Sequence, residues 1–131
     1  MIKRENIQDI YGLSAMQESM LLNYALDAES EAYVEQFEFD VKGSFNIERL
    51  KKALNLVSKK YDVLRTIFSY NKTDKSKQIV LKEWNPELNF EDYSECENKN
   101  ELVKEYVLKD KRKKFDLSKD VLIRYGLMFN D

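Results

Sequence analysis

Lys60-Tyr61-Asp62-Val63-Leu64-Arg65-Thr66-Ile67-Phe68 is the stretch whose reading decides the fold. Upstream of its end, Ile47, Leu50, Leu54, Val57, Tyr61 and Leu64 recur at steps of three and four, a single stripe along a helix. Downstream, Leu64 to Tyr70 is β-branched and aromatic, the composition of a strand. A long amphipathic helix therefore runs from the cap residue Asn46 to about Asp62 and passes directly into a core strand. Lys51, Lys52, Asn55, Ser58 and Lys59 fall on the side expected to be wet. Arg65 sits at the joint between core residues. Burying its charge unpaired would be costly, so it either finds an acceptor or lays its stem over apolar atoms at the surface.

Working outward, Ile7 to Tyr11 reads as a short strand. Ser14 followed by Gln17 is a capping-box pattern and predicts a helix over 15–26, with Met16, Met20 and Tyr24 on its packed face, widened by Leu21 and Leu22. Residues 27–30 read as a polar loop. Tyr33 to Lys42 alternates with period two, Tyr33, Phe37, Phe39 and Val41 against Gln36, Glu38, Asp40 and Lys42, which predicts a half-buried strand ended by Gly43. After the strand at 64–70 come a turn at 71–76 and a strand at 77–82, an antiparallel hairpin; Leu88 to Tyr93 reads as a short edge strand. Asn98 with Glu101 predicts a cap for a helix carrying Leu102, Val103, Tyr106 and Val107. The run Lys109 to Lys114 is either a solvated last turn or a docking patch for an acidic partner. Val121 to Phe129 reads as a final apolar strand. Strands and helices mix without alternating strictly. The fold class is α+β, a two-layer sandwich with helices packed on a mixed, largely antiparallel sheet.

Composition bounds the function. The 131 residues are one domain or part of one, 43% hydrophobic, with a net charge of −2. Near-balanced charge argues against a protein that neutralises nucleic-acid phosphates. No apolar run is long enough to span a membrane, and the first residues lack the core of a signal peptide. Cys96 is the single cysteine, which fits a reducing, cytoplasmic setting. Histidine is absent, which removes imidazole acid–base chemistry, serine–histidine and cysteine–histidine nucleophile pairs, and nearly all zinc sites. No glycine-rich phosphate loop and no metal-ligand spacing is present. The residues alone give no catalytic group, no cofactor site and no metal site.

Four stretches then resemble the condensation domains of non-ribosomal peptide synthetases. Leu13 to Leu22, with Ser14, Met16 and Gln17, is similar to the family's Leu-Ser/Thr-Pro-Met-Gln-Glu-Gly-Met-Leu-Phe signature; Ala15, Ser19 and Leu22 depart from it. Residues 27–36 resemble the segment that comes next. Lys60, Asp62, Leu64, Arg65 and Thr66 are similar to the second signature, Arg-His-Glu/Asp-x-Leu-Arg-Thr-x-Phe, with Lys60 and Tyr61 replacing the Arg-His pair. Phe115-Asp116-Leu117-Ser118, with Arg124, looks like Phe-Asp-Leu-x-x-x-Pro-Leu-x-Arg.

The resemblance implies the N-terminal half of a chloramphenicol-acetyltransferase-like domain, spanning residues 1–131 with 1–6 as a linker remnant. It implies a parent that joins acyl groups carried as phosphopantetheine thioesters on peptidyl carrier domains. The family's His-His-x-x-x-Asp-Gly signature would follow Phe129, so the chain is expected to be inactive alone. Arg65 would support that missing loop by pairing with its Asp. The expected partners are the C-terminal half of the domain and carrier domains, with self-association through apolar surface and an unpaired edge near Val121 to Phe129. Two alternatives remain, a non-catalytic carrier-docking module and a fragment of a coenzyme A-dependent acyltransferase of the same fold.

Overall fold

A computed structural model describes residues 3–27, 32–70 and 75–130. The chain runs β1 (Ile7–Gly12), α1 (Ala15–Leu26), α2 (Ile47–Lys60), β2 (Thr66–Ser69), β3 (Lys77–Leu81), β4 (Leu88–Asp92), α3 (Lys99–Arg112) and β5 (Tyr125–Phe129). The mixed α+β class expected from the sequence holds, but the strands form two sheets. One is antiparallel in the order β1-β3-β2; the other is a parallel pair, β4-β5.

Local chemistry explains several boundaries. The predicted capping box is present in both directions: the Gln17 amide donates to Ser14 Oγ at 3.2 Å and the Ser14 amide to Gln17 Oε1 at 2.8 Å. Asn46 Oδ1 accepts from the Arg49 amide at 2.9 Å and starts α2. The β2–β3 hairpin has Ile67 opposite Ile79 and Thr66 opposite Val80. Its turn lies partly outside the described residues, as does most of the loop read at 27–30. Asn6 ties the start of β1 to the end of β3, bonding the Glu83 backbone at 3.0 and 3.1 Å through its amide group.

The core is small. Ile67, Leu81 and Val121 are buried together, with Ile79, Trp84 and Ile123 packed around them. The helices cover only one side of themselves, and this corrects two expectations. On α1 the half-buried residues are Gln17, Leu21 and Tyr24, while Met16, Met20 and Leu22 are exposed. The helix is apolar nearly all round, and the Gln17–Gln78 bond at 3.2 Å selects which face meets the sheet. On α2, Ser58 is fully buried and Asn55 half-buried, whereas Val57 and Tyr61 are exposed. Ser58 lies where the chain doubles back, its hydroxyl within 3.4 Å of Leu64 O and 3.5 Å of Trp84 O. Only a small side chain fits against two backbone carbonyls.

Four further expectations change. The helix ends at Lys60, and a 3-10 turn, Asp62–Arg65, precedes β2. Asn98 stands at the start of α3 without a side-chain cap bond, because its backbone (φ −103°, ψ 32°) is not in the extended conformation a cap requires. The last strand begins at Tyr125, and Val121 ahead of it turns into the core. Its edge is also not wholly unpaired: β5 lies beside β4 from Leu88↔Tyr125 to Asp92↔Phe129.

The fourth concerns the segment with the clearest strand pattern. Residues 34–42 carry no regular secondary structure and join no sheet among the described residues. They are entered through a turn in which Tyr33 has φ 67°, and left through Gly43 at φ 111°, a conformation glycine tolerates. The strand expected over 33–42 is therefore not formed among the described residues. Pairing needs a neighbouring edge, and none within the described residues lies against it.

Gly126 in β5 packs directly beneath Tyr106 of α3. A Cβ there would lie 2.9 Å from the phenol oxygen and 3.0 Å from Cε1. Gly126→Ala should destabilise the chain by about 1–3 kcal/mol, as overpacking does. Replacing Tyr106 with leucine in the same background should recover part of that loss. Urea denaturation of the single and double variants measures it.

Candidate functional site

The joint at 60–68 is built from three elements. Lys59 and Lys60 in the last turn of α2 suit the negative end of the helix, and Lys60 Nζ lies 5.4 Å from the centre of the Tyr61 ring. The chain then tightens: the Leu64 amide donates to Tyr61 O at 3.0 Å, and Thr66 Oγ1 to Asp62 O at 2.7 Å. This turn aims Arg65 inward, where only 6% of the residue remains exposed. Its Nη1 donates to Gln8 Oε1 of β1 at 2.8 Å and to the Leu81 carbonyl of β3; its Nη2 pairs with Asp62 Oδ1.

The acceptor that burial demands is thus inside the chain. Of the signature residues, Asp62, Arg65 and Thr66 bond one another within this joint. Leu64 supplies the carbonyl near Ser58. Ser14 and Gln17 work as a cap some distance along the chain, Lys60 covers Tyr61, and Met16 points to solvent. Arg65 Nε is buried and has no hydrogen-bond partner among the described residues. The guanidinium therefore keeps its Nε–H donor in reserve. Beside it, Tyr11 is pushed above the usual phenol range, chiefly by the carboxylate of Asp9, then by burial and by a hydrogen bond to Asp9, with a smaller push from Asp62.

A second joint brings the Phe115–Ser118 stretch to Arg124. Arg124 Nε donates to Asp110 Oδ1 at 3.0 Å and its Nη2 to Asp110 O at 2.7 Å. The guanidinium carbon lies 4.0 Å from the centre of the Phe115 ring. Tyr24 of α1 donates to Phe115 O at 3.1 Å, and the Phe68 amide of β2 to Leu117 O at 2.8 Å. Gln36 Nε2 reaches both Val107 O, at 3.1 Å, and Asp110 Oδ2, at 3.3 Å. Sequence reasoning missed Asp110. The available signal was one acid inside the basic run Lys109 to Lys114, on the inward side of a helix.

The loop at 115–120 is closed by Asp116, which accepts from the Ser118 amide at 3.0 Å and from its hydroxyl at 2.6 Å, and pairs with Lys119. The hydrogen bond from Lys119, then those from Ser118, hold its carboxyl down to about 2. Neither joint offers a nucleophile beside a base. Both position backbone: they fix β1 to β3, and α1, α3 and β2 to the approach of β5.

The sequence matches the Condensation domain family over residues 7–130, and the chain belongs to that family. It is 38% identical over 130 residues to one of the plipastatin synthase proteins of Bacillus subtilis (strain 168), covering 98% of this chain and 5% of that protein. With gramicidin S synthase 2 of Brevibacillus brevis it shares 36% over 127 residues, 95% of this chain and 3% of the relative. Among solved structures it resembles the starter condensation domain of rhizomide synthetase (TM-score 0.76, 20% identity), covering 93% of this chain and 30% of that one. The condensation domain of Monacolin K polyketide synthase gives TM-score 0.76 at 17% identity, 96% against 28%. At those identities the structures speak for the fold alone. The chain spans a small fraction of the length of the synthetases it matches and under a third of these two solved chains. No helix among the described residues is long and apolar enough to cross a membrane.

Proposed function

We propose that this chain is the N-terminal portion of a non-ribosomal peptide synthetase condensation domain, with residues 1–6 leading in from a linker. Together with the rest of the domain it serves amide formation between acyl groups held as phosphopantetheine thioesters on carrier domains. The acceptor amine attacks the donor carbonyl, the carbon–sulfur bond breaks, and the thiol leaves. The chain contributes scaffold: no catalytic residue, cofactor or metal of its own, in a cytoplasmic setting. What carries this reading is the family match, which runs through both the Lys60–Phe68 and the Phe115–Arg124 joints.

Within it, Arg65 acts as a positioning residue. It is already anchored by Asp62, Gln8 and Leu81, and its unspent Nε–H is the donor that can meet the carboxylate of the catalytic loop. The test is complementation with loaded carriers. The chain alone should give no amide product, and adding the remaining condensation-domain polypeptide should restore it. Turnover by the purified chain alone would overturn the proposal.

A second reading, a carrier-docking module, draws on α3. Lys104, Lys109, Arg112 and Lys113 line a shallow depression there with Glu101, Glu105 and exposed Leu108, four cations against two acids. Binding of a carrier domain by this chain alone, weakened when these cations are neutralised, would favour it. The apolar residues left exposed on α1, Met16, Leu22 and Leu26, are the surface through which the isolated chain would self-associate.

A further inference from the structure

The last strand has little of its own to fix its register. In the run Val121-Leu122-Ile123-Arg124-Tyr125-Gly126-Leu127-Met128-Phe129, both alternating sets of side chains are apolar, broken only by Arg124 and Gly126. A strand pinned by its pattern is apolar on one face and polar on the other, so that a slip of one residue buries the wrong set. Here a slip exchanges one apolar set for another. β5 also pairs with β4 in parallel, from Leu88↔Tyr125 to Asp92↔Phe129, so no tight turn sets the pairing.

Both exceptions in the run meet α3. Asp110 Oδ1 accepts from Arg124 Nε at 3.0 Å, and the Asp110 carbonyl from Arg124 Nη2 at 2.7 Å. Gln36 Nε2 also bonds Asp110 Oδ2, at 3.3 Å. One helical turn earlier, Tyr106 lies so close over Gly126 that an added Cβ would stand 2.9 Å from its oxygen. Tyr106 and Asp110 share a face of α3, as residues four apart do; Arg124 and Gly126 share a face of the strand, as residues two apart do. The spacings match, about 6 Å along the helix against about 6.6 Å along the strand.

Every nearby register is worse. A shift by one residue turns Ile123 or Tyr125 toward Asp110 in place of the cation, and Tyr125 or Leu127 toward Tyr106. A shift by two sets Arg124 or Met128 beneath Tyr106, where a Cβ alone is too close. The Arg124 and Asp110 side chains are only 16% and 26% exposed. An ion pair so far out of water adds little net stability, because desolvation offsets the attraction, yet parting it is costly; fixing register is its best-attested use.

We propose that Asp110 and Tyr106 of α3 together set the register of β5 against β4, and through it act as positioning residues for the catalytic loop. That the loop continues from β5 rests on the function proposed above; the register role does not.

The test compares three variants of the chain: Asp110→Leu with Arg124→Leu, which removes the ion pair; Tyr106→Leu, which removes the ring; and all three substitutions together. NMR reads the cross-strand contacts Leu88–Tyr125 and Phe90–Leu127. The first two variants each keep one constraint and should keep one register. The combined variant should show a second set of β5 resonances with those contacts weakened, while β1, β3 and β2 stay unchanged. Complemented with the rest of the domain, it should lose at least about tenfold in kcat with KM for loaded carriers unchanged, since a small misplacement of reacting groups costs that much. A single set of resonances with both contacts intact in the combined variant would overturn the proposal. So would two registers with kcat unchanged, or a lowered urea midpoint with register and kcat unchanged. If the combined variant does not fold, Asp110→Asn and Arg124→Gln replace its two leucines at those positions and the same readouts decide. Two registers in the combined variant, with no complementation by the unsubstituted chain, would count against the function and leave the register role standing.

Discussion

Arg65→Met lowers the urea midpoint of the chain by about 1–2 M, corresponding to a loss of about 2–4 kcal/mol. The expectation follows from what the guanidinium joins. Gln8 belongs to β1, Leu81 to β3 and Asp62 to the turn before β2, so one side chain ties three parts of a small sheet. Removing it leaves the Leu81 carbonyl and the Gln8 amide without a donor. The loss falls short of the largest values for broken buried pairs because the Asp62 side chain is half exposed and can return to water. Arg65→Lys keeps the charge but not the planar fork, and should recover less than half of the loss. Amide exchange in β1 separates this account from simple loss of packing. Its protection should fall with Arg65→Met more than that of β2. Equal loss across the whole sheet would show that the arginine fills space rather than joining strands.

Ile67→Ala is the second large effect, with an expected loss of about 2–5 kcal/mol. Ile67 is 1% exposed and meets Leu81 and Val121, with few other residues fully buried around it. A core this small has little means of collapsing around the lost methyl groups. Against a typical domain stability of about 5–15 kcal/mol, the variant should unfold over a broad range of urea or be unfolded without it. Ile67→Val, which removes a single methylene, should cost about 0.5–1.5 kcal/mol and keep the cooperative transition. Circular dichroism across a urea series measures both. An Ile67→Ala loss below about 1 kcal/mol would show that the apolar cluster is not what stabilises the chain.

The amino-acid sequence by itself determined the elements whose signals are local. The capping box at Ser14 and Gln17, the cap at Asn46 and the hairpin of β2 and β3 all lie where residue chemistry puts them, because each depends on neighbours a few residues away. The same holds for the family, since its signatures are short runs of residues in order. Arg65 was legible as a charge at a joint between core residues, with burial beside an acceptor and a surface position both left open.

Which acceptor it takes was decided only by the tertiary structure, since Gln8 and Leu81 become its neighbours through the β1–β3 ladder. The same is true of Asp110, whose partners Gln36 and Arg124 lie far from it in sequence. The apolar stripe of α2 marked its covered face at Ile47, Leu50 and Leu54, though Ser58 rather than Val57 is buried, whereas on α1, with apolar residues nearly all round, no stripe could say which face would be covered. Period-two alternation at 33–42 predicted a strand, yet none forms there among the described residues. A strand's conformation is a property of its own residues; its ladder belongs to whichever edge the rest of the fold brings alongside.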